Sequence, residues 1–206
     1  MNQLPSDPLA IVVPIAIVLM SLTVHEAAHA WTADRLGDPT ARSLGRVSFN
    51  PIVHIDLIGT VILPLLAAIS NLPIIGWAKP VPVDIRRLRH PRRDFVLVAA
   101  AGPASNILLA IGGAIIIHLL SMPTYGSSPL LLWIEINIML AVFNLVPVPP
   151  LDGGNVLAGL LPPSAAAVFY NMRPFGFIIL YMLMFTGILA EMIMPPARFL
   201  WSLLGL

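Results

Sequence analysis

The chain has no cysteine, which excludes disulfides, thiolate metal sites and cysteine nucleophiles and leaves the redox compartment open. Charge is almost as scarce. Asp, Glu, Lys and Arg make up 10% of the 206 residues, against roughly a quarter in an ordinary soluble domain. That is too little charge to cover a water-soluble globule of this size, and with 58% hydrophobic residues the bilayer is the more natural solvent. The net charge is only +1, and no basic stripe interleaved with aromatics runs along the chain, so nucleic acid is not an expected partner. The start, "MNQLPSDPLA", lacks a basic segment, and no small-residue cleavage site follows the first apolar run. That run is therefore expected to be a retained span rather than a signal peptide. No internal repeat or long low-complexity tract is present.

Crossing a hydrocarbon core takes about 20 apolar residues, and the stretches 8–34, 95–120, 130–148 and 175–194 are long enough. A fifth stretch, 55–77, is interrupted by Gly59, Pro64, Pro73 and Gly76. The tail "PPARFLWSLLGL", with its Arg and Trp, suits an interfacial helix. Arg35, Arg42 and Arg46 follow the first span, and Arg86, Arg87, Arg89, Arg92 and Arg93 precede the one that begins near 95. Basic flanks stay in the cytoplasm, which predicts an external N-terminus and two internal flanks for 55–77. That stretch is then expected to enter and return, as a re-entrant or β-hairpin insertion buried in protein or lining a wet cavity. The expected fold is an all-α polytopic membrane protein, one domain over 1–206, with about four transmembrane helices plus this insertion between the first and second.

Ionisable residues are costly in hydrocarbon and mark function by default. The first span ends on "HEAAH", His25 to His29. On a helix, positions i and i+4 share a face, so His25 and His29 can converge on one ion. Glu26 is offset by about 100°, where it can take a proton from water without being a ligand. A catalytic zinc takes three protein ligands and keeps one position open, so two histidines are an incomplete site. Asp152, in "FNLVPVPPLDGG", is the best third ligand. The histidines and the end of the 130–148 span both lie about 25 Å from the outer side at 1.5 Å per residue. Pro147, Pro149 and Pro150 break that helix, and Gly153 and Gly154 permit close backbone approach. Gly102, Pro103 and Asn106, in "AGPASN", lie at the same depth on a third span. Taken alone, the histidines and Glu26 could be a polar packing cluster, Asp152 an Asp-Gly turn, and Gly102 and Asn106 a close helix contact.

The motifs His25-Glu26-x-x-His29, Gly102-Pro103-x-x-Asn106 and Asn144-x-x-Pro147 through Leu151-Asp152-Gly153 occur in order, each on an apolar span. Together with "LGRVSFNPIVHIDLIGT" and "GWAKPVPVD", they make the chain resemble the site-2 protease family of intramembrane zinc metalloproteases. The likeness runs from about 21 to 155 and is to the compact prokaryotic branch, without PDZ-like or nucleotide-sensing domains. The resemblance implies one Zn²⁺ on His25, His29 and Asp152, with Glu26 as general base and then acid. It implies that Asn144 steadies the oxyanion or the substrate backbone. It also implies a transmembrane protein substrate, unwound before attack, in a prokaryotic inner membrane with the site near the cytoplasmic side. "GRVSF" (45–49) is a candidate strand edge for the unwound segment.

His54 is either a polar residue at a membrane-entry turn or a group beside the ligands or substrate. His90 is expected in solvent and His118 in a structural role. The arginine cluster 86–93 is expected to set topology against lipid headgroups, making membrane lipid a second partner, and the oligomeric state is open. Two other functions compete. A metal-ion transporter would need ligands continuing across the bilayer, but Glu135 and Glu191 stand isolated toward the outer side. A catalytically silent helix-binding homologue would not need Glu26.

Overall fold

The computed structural model describes residues 9–63, 66, 69, 70, 78–126 and 128–206. The α-helices are α1 (Leu9–Arg35), α2 (Thr40–Ser43), α3 (Pro91–Leu119), α4 (Pro129–Asn144), α5 (Asp152–Leu160), α6 (Pro163–Asn171), α7 (Gly176–Phe185) and α8 (Ile188–Leu203). No strand occurs among the described residues.

Three segments are long and apolar enough to cross a membrane: α1, α3, and the run Pro163–Phe185 formed by α6, a 3-10 turn and α7. At 27 and 29 residues, α1 and α3 are about 40 and 44 Å long, against a hydrocarbon core of about 30 Å. Their outward faces carry exposed Ile15, Leu108, Ile115 and Leu119. In water these would be a liability; in lipid they face their own kind. The protein is an integral membrane protein.

Local chemistry sets the helix ends. α3 starts with Pro91 in its first turn, and Asp94 accepts the His90 backbone N–H at 2.8 Å. α4 starts with Pro129, and the Ser128 hydroxyl oxygen accepts the Leu130 N–H at 3.2 Å. α3 is the central element, packed along α1, α4 and α5, while α4 packs on α8. Its buried stripe is small where helices meet: Ala99, Gly102, Ala110, Gly113 and Ala114. Small residues let backbones approach, which is how helices gain contact where lipid supplies no hydrophobic drive. The main core joins Ile117, Ile134, Ile138, Leu180 and Ile193 from α3, α4, α7 and α8.

Three expectations change. The stretch 175–194 is not one helix. α7 ends at Phe185 and α8 begins at Ile188, with Gly187 between them in the left-handed region at φ 79°. The run is apolar on both sides of that glycine, so hydropathy could not show the break. The tail is not a separate interfacial piece, because it continues α8, whose Leu189, Ile193 and Ala197 are buried. The segment 45–49 forms a turn and bends rather than a strand; a strand needs a ladder partner, and the described residues supply none. Of the insertion at 55–77, positions 64, 65, 67, 68 and 71–77 lie outside the described residues. The part described includes one wide turn, Leu57–Ile62, whose first N–H groups are capped by Asp56.

Candidate metal centre and active site

α1 places His25 and His29 one turn apart, with their Nε2 atoms 3.1 Å from each other. The turn after α4 brings Asp152 to them as the first residue of α5. Its Oδ2 lies 3.0 Å from His25 Nε2 and 3.3 Å from His29 Nε2. Both histidines are buried, and the three residues form a group that could hold a metal ion.

The other ring nitrogens decide what this cluster can bind. His29 Nδ1 is 2.7 Å from the Val98 carbonyl oxygen. A carbonyl can only accept, so Nδ1 carries the proton. His25 Nδ1 is 2.6 Å from Asn106 Oδ1. The orientation of that amide follows from its Nδ2, which donates to the Ser21 carbonyl at 3.3 Å and to Asn137 Oδ1 at 2.8 Å. His25 Nδ1 is therefore also a donor. In the neutral rings, both Nε2 lone pairs and a carboxylate oxygen face one another at close range, an arrangement that repels itself unless a cation sits among them. Two imidazoles and one carboxylate, each ring oriented by a hydrogen bond from its other nitrogen, suit a three-ligand catalytic zinc.

Gly102 completes the cradle from α3. A methyl group there would come closer than 3.0 Å to the Nε2 atoms of both histidines. The helix can pass this close to the rings only without a side chain. Behind Asp152, the expected close approach at Gly153 and Gly154 is present, since a methyl on either would press into the backbone of the 145–149 turn.

Glu26, His25, His29, Asn144 and Asp152 line one cavity of about 610 Å³. The Glu26 Oε2 atom is buried and has no hydrogen-bond partner. Asn144, the last residue of α4, donates from Nδ2 to the Leu140 carbonyl at 2.9 Å. Pro103 and Asn106 are buried in α3 beside Gly102; Asn106 reaches the site through His25, and Pro103 is not among the residues that line the cavity. His54 is not in the cavity wall. Its Nε2 donates to the Ser48 carbonyl at 2.9 Å and its own carbonyl accepts the Lys79 N–H at 2.8 Å.

Two residues of this region were not singled out by the sequence. Asn137 is fully buried and donates to the Trp133 carbonyl at 2.8 Å while accepting from Asn106. Its signal was an amide in the apolar run "LLLWIEINIMLAVF". Arg46, counted above only as a topology charge, is 5% exposed and donates to the Lys79 and Pro80 carbonyls. Burial pulls its guanidinium below the ordinary range, and the Glu26 carboxylate counters that. It thus pins the 79–80 backbone beside the cavity, within electrostatic reach of Glu26.

The chain Asn137–Asn106–His25 makes one prediction. Asn106→Ala leaves the His25 ring without its orienting acceptor, and loss of such a partner typically costs about 10–100-fold in metal affinity. Competition against a zinc chelator should show that loss. An unchanged affinity would mean that packing alone orients His25.

Among proteins of known sequence, a Bacillus subtilis (strain 168) protein named "Putative zinc metalloprotease YwhC" is 38% identical over 200 residues, covering 91% of this chain and 87% of its own length. The model of the family described as Peptidase family M50 matches residues 121–185. The chain belongs to peptidase family M50, the site-2 protease family. A Mycolicibacterium smegmatis relative, "Putative zinc metalloprotease Rip2", is 30% identical over 179 residues, covering 84% of this chain and 66% of that protein. No solved structure gives a significant match. Family M50 membership makes this membrane protein a zinc metalloendopeptidase, as the sequence resemblance implied. The 121–185 match holds Asp152 and Asn144, while His25, Glu26 and His29 lie outside it and within the reach of the YwhC likeness.

Proposed function

We propose that this M50 peptidase hydrolyses peptide bonds within transmembrane segments of protein substrates, near the cytoplasmic face of a prokaryotic cell membrane. The observation that carries the reading is the meeting of two imidazole lone pairs and a carboxylate at 3.0–3.3 Å beside an unpartnered Glu26 oxygen in one cavity. His25, His29 and Asp152 are the proposed ligands. Zn²⁺ held by them supplies Lewis-acid polarisation of a peptide carbonyl and lowers the pKa of water toward neutrality. Glu26 Oε2 accepts the proton of the attacking water and returns it to the leaving amine nitrogen. Asn144 donates from its amide to the substrate backbone. Arg46 holds the 79–80 segment in place beside them.

A helix shields its own peptide bonds, so the substrate segment must open locally before it enters the cavity. The basic residues flanking α1 and α3 support an external N-terminus and a cytoplasmic site. α4 is the fourth crossing in this reading: its 16 residues cover about 24 Å.

The test is cleavage of a single-span reporter by the purified chain in liposomes, with the cut mapped by mass spectrometry. The cut is expected inside the membrane-embedded segment toward its cytoplasmic end. Activity should be lost to a chelator and restored by zinc. Cuts confined to soluble flanks, or zinc flux across the liposomes without any cleavage, would overturn the reading.

A further inference from the structure

A second cavity, of about 240 Å³, opens between α4 and α8 and is lined by Glu135, Met139, Met194, Arg198 and Trp201. It lies at the end of the bundle away from the metal centre. His118 Nε2, near the C-terminus of α3, donates to the Leu204 carbonyl just past α8 at 2.7 Å. The chain then turns directly from α3 into α4, which begins at Pro129. The start of α4 and the end of α8 therefore share one end of the molecule. Glu135 is six residues beyond Pro129 and Arg198 six residues before Leu204, so each sits about 9 Å in from that end at 1.5 Å per residue. Opposite charges on two apolar helices thus reach one depth.

These two charges are exposed, and neither has an ion pair or hydrogen bond with the other or with any other described residue. A carboxylate and a guanidinium left apart on lipid-facing helices are costly unless something between them answers both. Trp201, one turn outward from Arg198, suits the headgroup level where tryptophan concentrates. Met139, Met194 and Ile138 offer apolar surface on the inward side.

We propose that this cleft binds the headgroup of a phospholipid bearing a primary ammonium, phosphatidylethanolamine by chemistry. Its phosphate takes the Arg198 fork, which matches phosphate oxygens bidentately. Its ammonium gives N–H donors to Glu135, and its acyl chains run over the methionines. Phosphatidylglycerol offers Glu135 only neutral hydroxyl donors in place of the ammonium, and phosphatidylcholine has no N–H to donate. The site is independent of the peptidase reading and uses none of its residues.

The test is native mass spectrometry of the purified chain with an equimolar mixture of these three lipids with matched acyl chains. A hydrogen bond to a charged group contributes about 1.5–3 kcal/mol, so phosphatidylethanolamine should be retained roughly tenfold over either of the others. Glu135→Gln should bring that preference to within about twofold, and Arg198→Gln should lower retention of all three. Equal retention by wild type, or a preference unchanged in Glu135→Gln, would overturn the proposal. Should either variant fail to fold, wild type alone decides: retention must fall stepwise as the ethanolamine nitrogen is methylated once, twice and three times. A flat series overturns it.

Discussion

Glu26→Gln is expected to lower cleavage by at least about 10³-fold while bound zinc stays near one per chain. General acid–base catalysis contributes typically 10²–10⁴-fold, and in the proposed cycle Glu26 serves twice, as base and then as acid. The amide keeps the shape and cannot accept the proton. No other carboxylate lining the cavity is available, because Asp152, the second one there, is engaged with both histidines. The substitution also breaks no existing bond, since Oε2 has no partner. The loss should therefore fall on kcat, with KM and thermal stability little changed. Zinc content and single-turnover cleavage measured on the same preparation check this. If zinc leaves along with activity, Glu26 is helping to hold the ion and the assigned role is wrong.

Gly102→Ala is expected to empty the metal site although it adds one methyl group to a residue that ligates nothing. That methyl would sit closer than 3.0 Å to both Nε2 atoms, on the face of the rings that must point to zinc. Overpacking in a tight core costs about 1–3 kcal/mol. Here the strain is relieved by pushing the two ligands apart or away from α3, which also stretches the His29–Val98 and His25–Asn106 bonds. Disturbing ring orientation alone costs about 10–100-fold in affinity, so displacing both rings should cost at least about 100-fold. Gly112 supplies the control on the same helix, because a methyl there meets nothing within 4 Å. Gly112→Ala should retain zinc and gain roughly 0.5–1 kcal/mol from the better helix former. Metal analysis of the two variants side by side checks the pair. Full zinc in Gly102→Ala would show that α3 can back away, and that the close approach does not shape the site.

What could be read in the sequence divides along the range of the signal. His25, Glu26 and His29 lie within one helical turn or so, and their spacing alone predicts a shared face. Asp152 was placed by counting helical rise along two spans, and its oxygen does lie at the Nε2 atoms. Depth is an axial coordinate and survives ignorance of packing. Lateral position does not. Nothing local to Asn137 says that its side chain meets Asn106 rather than lipid, and nothing local to Arg46 says that it turns inward to carbonyls instead of outward to headgroups. Both depend on which helices become neighbours. The end of α4 illustrates a further loss: the apolar run continues through Val146 and Val148, yet the helix stops at Asn144 because the prolines beyond cannot continue it. At Gly187 hydropathy is blind in the same way, and only backbone geometry shows the break.

The separation of the ligands along the chain has a consequence for biogenesis. His25 and Asp152 are 127 positions apart, with α3 and all of α4 between them. A growing chain therefore exposes both histidines to the membrane long before the third ligand has been made. Until α3 is inserted, His25 also lacks Asn106 and His29 lacks the Val98 carbonyl, so neither ring is held in its tautomer. Arming the peptidase thus waits until α3, α4 and the start of α5 have been made. A nascent or truncated copy in the same membrane carries the whole HEAAH helix yet lacks the complete ligand set needed to cut its neighbours.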